Sequence, residues 1–391
     1  MMRKSVYIPV LLAGIYAGWT GCKRSYTPVI RSGNVNYLVV EGVIDPGSDS
    51  TIIKLSRAVK LNSKKGSAAE TGARVTVEGN NGQNYIIPEI GNGKYAAPSL
   101  GLDSTQQYRL RIKTADGKQY VSDFAAAKPT PPIDSIGYTV KSNGIQVYVN
   151  THDPKNNTYY YRWDYAETWE FHAEYLSLFV SNGTAIVKRD ADQMIYYCYA
   201  SDTSANITLG SSAKLQRDVI YQDPLVFIPS TSEKIEQKYS ILVKQYALTK
   251  DAYNYWQQLK KNTEQLGSIF DAQPSEIQGN IHCTSDPVEP VIGFVSVSSV
   301  KQKRVFIDNR DLPRWAPVYP YDCKADTQWY CRQPGCVNDV AENLIPLPTS
   351  KIPLSAVLAP DNITILAYLA SSAECADCTI RGVHNKPDFW K

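Results

Sequence analysis

Charge of either sign in excess is what this sequence lacks first: 41 Lys and Arg stand against 38 Asp and Glu, a formal net of +3 over 391 residues. That balance argues against a protein that grips nucleic acid through a broad basic field. Also lacking is an apolar run of the roughly 20 residues that a spanning helix requires. There is no glycine-rich phosphate loop, no GxSxG elbow and no HExxH motif, so no catalytic signature is on offer. The four histidines, His152, His172, His282 and His384, fall in no ligand or triad pattern; neither a metal site nor a cofactor is expected. Phe (8) and Met (3) are scarce, whereas Tyr reaches 27. Tyrosine in such excess suits half-buried strands, where the ring packs and the hydroxyl meets water. Usage is otherwise ordinary for a globular chain, and the length suggests two or three domains.

What is present at the start reads as an address. Arg3 and Lys4 precede a short apolar stretch, and Thr20–Gly21–Cys22 closes it. A basic start, a short apolar run and small residues before a break are the marks of a secretory signal. Small residues before a cysteine form the lipobox of bacterial lipoproteins. Residues 1–21 are therefore expected to be removed and Cys22 to carry acyl chains, each buried CH₂ contributing about 0.8 kcal/mol of membrane affinity. Polar residues 22–34 read as a lipidated tether.

From residue 37 the texture alternates. Runs at 37–44, 51–56, 73–78, 85–87, 94–96, 108–113 and 119–122 are separated by turn signals such as 79–82 (GNNG) and 116–117 (DG). Seven short strands in about a hundred residues predict a β-sandwich over 35–127. Leu102 and Tyr108 have the spacing of a tyrosine corner. The prolines of 128–132 (KPTPP) predict a stiff linker. Beyond it, 133–391 reads as a larger β-rich domain with one amphipathic helix over 250–266. Thr249 is placed to cap that helix, Ala252, Tyr255, Trp256 and Leu259 to form its apolar stripe, and Gly267 to end it. Residues 313–357 read as loop.

Seven further cysteines, Cys198, Cys283, Cys323, Cys331, Cys336, Cys375 and Cys378, crowd toward the C-terminus. In an oxidising compartment they read as a disulfide-stapled C-terminal segment, and an odd count leaves one over. A zinc reading would recruit Cys331, Cys336 and His384. Asp164, Glu167 and Glu170 beside Trp163 and Trp169 raise the thought of a glycosidase pair, although geometry rather than proximity defines such chemistry. Trp163, Tyr165 and Trp169 form a candidate ligand platform for a sugar or peptide.

Several segments carry a resemblance: NYLVVEGVID (36–45), IIKLSRA (52–58), GARVTVEG (72–79), YRLRIKTADGKQYVSD (108–123), PPIDSI (131–136), the long run 239–283 and ECADCTIRGVHNKPDFW (374–390). Together they resemble the Bacteroidota outer-membrane lipoprotein family known as domain of unknown function 4249. The resemblance implies a mainly β protein with an N-terminal immunoglobulin or fibronectin-III-like sandwich, anchored in the outer membrane through Cys22 and sited at the cell surface or on the periplasmic face. It implies a non-enzymatic role as an accessory or docking subunit of a TonB-dependent receptor barrel or another outer-membrane complex. Capture of a glycan or peptide for uptake is the alternative, and an extracellular hydrolase comes third.

Overall fold

The computed structural model describes residues 36–59, 67–264, 277–331, 333 and 335–390. The signal segment, Cys22 and the tether, with Leu266 and Gly267 at the expected helix end, lie outside the described residues. The chain is mainly β. Among the described residues no helix is long and apolar enough to cross a membrane.

Alternation builds the first sandwich. Along Gln107–Lys113, Tyr108, Leu110 and Ile112 point inward while the residues between them face out. One sheet runs Val291–Gly293, Leu38–Ile44, Thr51–Arg57, Lys94–Ala97 and Glu89–Gly91. The other runs Ile281–Cys283, Gln119–Ser122, Gln107–Lys113, Arg74–Gly79 and Asn84–Ile87. Leu38, Val40, Ile53, Leu55 and Tyr95 of the first meet Val75, Val77, Leu110 and Ile112 of the second in one core. Tyr108 is fully buried and its Oη donates to the Asp103 carbonyl at 3.1 Å, closing the corner expected of it.

The partition of the chain departs from the expected single break at 128–132. Val291–Gly293 and Ser296–Val297 pair in parallel with Leu38–Ile44, and Ile281–Cys283 pairs with Gln119–Ser122. Residues 281–297 thus complete the first sandwich from far along the chain. Gly293 is required there: at φ +147° a Cβ on it would lie 2.3 Å from the Val40 carbonyl oxygen, and a Cβ on nearby Gly279 would lie 1.8 Å from the Gly293 oxygen. The proline stretch is pinned as well as stiff. The Lys128 N–H donates to the Val297 carbonyl (2.9 Å), the Thr130 N–H to Ser299 Oγ (2.9 Å), and Thr130 Oγ1 accepts from the Ala247 N–H (3.0 Å).

A second sandwich follows. Ile133–Lys141, Gly144–His152 and Val219–Pro229 form one sheet; Tyr197–Thr203, Tyr160–His172, Lys238–Ala247 and Val300–Asp308 form the other, with Thr208–Ser211 also on Tyr160–His172. The helix Lys250–Glu264 leaves this sheet with Thr249 as its cap, Thr249 Oγ1 accepting from the Ala252 N–H at 3.2 Å. Its buried residues are Ala252 and Tyr255.

The expected loop over 313–357 is corrected: Ala325–Trp329, a π-helical turn at Val340–Leu344 and Ile352–Leu358 lie within it. With Ile365–Ser371 as the central strand they form a third sheet, whose small core holds Phe179, Val340, Leu344, Tyr368 and Ala370. So few apolar residues, spaced by prolines and cysteines, leave little periodicity to read.

Candidate functional site

The aromatic platform expected at Trp163, Tyr165 and Trp169 is corrected. All three belong to the core of the second sandwich, Trp163 at 0% exposure. Side chains alternate along Tyr160–His172, so positions 161, 163, 165, 169 and 171 share the inner face. The indole N–H of Trp163 donates to Gln245 Oε1 at 2.8 Å and that of Trp169 to Glu233 Oε1 at 3.3 Å. These are satisfied core donors, closed to a ligand.

The three carboxylates do not converge either. Asp164 and Glu170 are six residues apart on the outer face, about 20 Å along a strand, and Glu167 faces the other way. Glu167 is buried and accepts from Tyr239 Oη and Lys234 Nζ, both at 2.7 Å. Asp164 accepts from Arg162 (2.9 Å) and Glu170 from Tyr199 Oη (3.0 Å). A glycosidase pair needs its two groups about 5–10 Å apart across one bond.

Six of the seven cysteines pair: Cys198 with Cys378, Cys323 with Cys375 and Cys331 with Cys336. Cys283 is free and buried. The zinc reading loses its thiolates to the Cys331–Cys336 bond, and His384 turns to the Tyr197 carbonyl at 3.3 Å. No group of three or more metal-ligating side chains occurs among the described residues.

What the fold does create is a groove of about 750 Å³ where the helix lies across the edge of the first sandwich. Its floor is apolar: Tyr255 packs on Phe294 with ring centroids 5.4 Å apart, beside Val295 and Val297. Burial pushes the Tyr255 hydroxyl up to about 12. The helix contributes Asp251, Asn254 and Gln258 to one wall, the last two a turn apart and exposed. Phe124, 40% exposed, stands in the other wall with Gln278. Asn280 fixes that wall by clamping Val295: its Nδ2 donates to the Val295 carbonyl (2.9 Å) and its Oδ1 accepts from the Val295 N–H (2.8 Å). At one end, past Lys128 and Thr249, lies a second hollow of about 460 Å³ lined by Tyr159 and Tyr160. Lys128 donates from Nζ to the Asn157 carbonyl at 2.7 Å, and burial lowers its pKa. The groove is not legible as a site in the sequence, where Lys128 reads as linker, Thr249 as a cap and Tyr255 as helix stripe, because its walls come from three separate stretches of chain.

A second feature is apolar. At one end of the third sheet Trp329 lies opposite Ala367 and Leu358 opposite Ile365, while Ile363 sits in the intervening hairpin tip. Trp329 is 50% and Ile363 83% exposed, with Leu358 and Leu366 also exposed. Two acids border them: Asp339 accepts from the Trp329 N–H at 3.2 Å and Asp361 from the Ile363 N–H at 2.9 Å. Hydrogen bonds from Thr364 hold the Asp361 carboxyl below its usual range.

The sequence matches the family model described as Domain of unknown function (DUF4249) over residues 23–304, and the chain belongs to that family. No curated protein matches it. A crystal structure titled "putative carbohydrate binding protein" from Bacteroides uniformis ATCC 8492 aligns with 55% of this chain and 91% of its own at 14% identity, with a TM-score of 0.13. With so little overlap in space, that likeness is no guide to fold or ligand here.

Proposed function

We propose that this DUF4249 protein is a non-enzymatic outer-membrane lipoprotein, tethered through acylated Cys22, that serves as an accessory or docking subunit of a TonB-dependent receptor or another outer-membrane complex. The observation that carries the docking half is the apolar, acid-bordered end of the third sheet. Exposed Trp329, Leu358 and Ile363 stand at the same end of the sheet, and apolar surface gathered in that way marks an interaction site. A buried tryptophan is a frequent anchor of protein interfaces. Asp339 and Asp361 select a partner whose own apolar patch is bordered by Lys or Arg. The tether half rests on the lipobox and the family resemblance.

The test uses the full chain in intact cells, with a photoreactive amino acid at position 363. A specific crosslink to one integral β-barrel protein is expected, weakened at least tenfold by Trp329→Ser. Cys22→Ala should move the protein from the membrane pellet to the soluble fraction. Crosslinks to no barrel at all would sink the docking reading.

Capture of a glycan or peptide is the second reading. With Trp163, Tyr165 and Trp169 buried, it rests on the junction groove instead. A hydrolase reading has lost its residues, since Asp164, Glu167 and Glu170 share no site.

A further inference from the structure

We propose that the groove between the helix and the first sandwich binds an uncharged, hydroxyl-rich ligand, a segment of neutral oligosaccharide. This deepens the capture reading and is independent of docking at the third sheet.

Size is the first argument. About 750 Å³ falls within the range of small-ligand sites. The adjoining hollow of about 460 Å³ shares Ala126, Lys128 and Thr249 with it. The two together suit a chain of rings better than one compact molecule.

The lining then narrows the chemistry. A sugar ring has an apolar face of C–H groups and an edge of hydroxyls that both donate and accept. Half-buried Phe294 in the floor and Phe124, 40% exposed in the wall, meet the first demand. Asn254, Gln258 and Gln278 meet the second, because an amide presents a donor and an acceptor side by side. Asn254 and Gln258 are exposed on the helix, and neither side chain makes a hydrogen bond among the described residues.

Charge disfavours acidic ligands. Among the described residues the lining carries two carboxylates, Asp123 and Asp251, against one cation, Lys128, whose Nζ already donates to the Asn157 carbonyl. A phosphate or uronic acid would meet net repulsion there. Backbone bonding disfavours a peptide. An extended peptide binds by adding to an open strand edge. Here the Asp123 N–H already donates to the Asn280 carbonyl (2.8 Å), the Lys128 N–H to Val297, and the backbone of Val295 is held by Asn280. Side chains are what this groove has left to offer.

The full chain in detergent is to be screened on an array of several hundred neutral glycans, with acidic glycans and extended peptides alongside, and hits titrated by calorimetry. Binding of at least one neutral glycan is expected, with little signal from the acidic or peptide probes. Gln258→Trp, which plugs the groove from an exposed helix position, should weaken that binding at least tenfold, and Asn254→Ala should weaken it severalfold, with the melting temperature and the position-363 crosslink unchanged. A blank neutral array, selection of peptides or acidic glycans, or full binding by Gln258→Trp would each overturn the assignment. None of these outcomes bears on docking, which is read by the crosslink alone.

Discussion

Asp223 is the carboxylate that its surroundings suit least. Its Oδ2 lies over Gly210 against the Trp163 ring, where a Cβ on the glycine would have no room. Burial pushes its pKa up to about 6, and the Lys260 charge offsets only part of this. An unfolded carboxylate of this type titrates near 3.9. Between about pH 4 and pH 6 the folded chain therefore holds a proton that the unfolded chain has released, so stability falls as pH rises through that window and the full penalty stands above it. Asp223→Asn should raise the melting temperature at pH 7.5 and leave it nearly unchanged at pH 4, by differential scanning calorimetry. An equal shift at both values would show that charge burial is not the cause. The same neighbourhood shows what a sequence conceals at this scale. The strand character of Trp163 and Tyr165 was plain in their spacing, but which side of the strand faced inward was not, because both faces carry large residues. Trp163 looked like a ligand platform and is a core side chain hydrogen-bonded to Gln245, 82 residues away.

At the scale of elements, the C-terminal stretch acts as a strap over the second sandwich. Cys378 is bonded to Cys198, Val383 bridges to Tyr199, and the Trp390 ring packs between Tyr199 (5.2 Å) and Phe306 (5.5 Å). Arg381 lies over Phe171 at 4.6 Å and bonds to Glu233. The Cys198–Cys378 bond closes a loop of 180 residues, so replacing both cysteines by Ser should cost about 2–5 kcal/mol. Urea denaturation would measure it, and residues 379–390 should become sensitive to protease in the variant. A loss below about 0.5 kcal/mol would mean that the ring contacts alone hold the strap, since surface substitutions typically stay within that bound. A stapled C-terminal segment was legible from cysteine density; the pairing was not. The CxxC at 375–378 looks like one unit, yet Cys375 is tied to Cys323 beside the third sheet and Cys378 to the second sandwich. The helix was the clearest element of all, with Thr249 capping it as its position suggested.

For the whole molecule, the boundary at the prolines marks where the chain crosses between sandwiches, but no local signal announces that residues 281–297 cross back. Short apolar runs such as Val291–Gly293 fit any sheet. Their destination is set by pairing with Leu38–Ile44 and by a charge cluster: Glu289 accepts from Tyr120 Oη (2.7 Å), bonds to Lys118 and lies 3.6 Å from Arg57. A fragment of residues 36–132 lacks these strands and leaves Arg57 without one of its two acidic partners, the other being Glu70 at 2.5 Å. Such a fragment should give a poorly dispersed NMR spectrum, and adding a peptide of residues 277–299 should sharpen it. A well-dispersed spectrum from the fragment alone would show that the N-terminal strands suffice. The groove shares this origin, since the wall held by Asn280 exists only once the chain has returned.

The return sets a clock. Leu38 leaves the ribosome early, but the parallel neighbour it pairs with, Val291, follows about 250 residues later, roughly 10–50 s at ordinary elongation speeds. For that interval the N-terminal half has a bare strand edge and no finished core. A chain built this way needs its open strand edge shielded until residue 297 has been made, and a stall anywhere before that point leaves an aggregation-prone half-product rather than a smaller working protein.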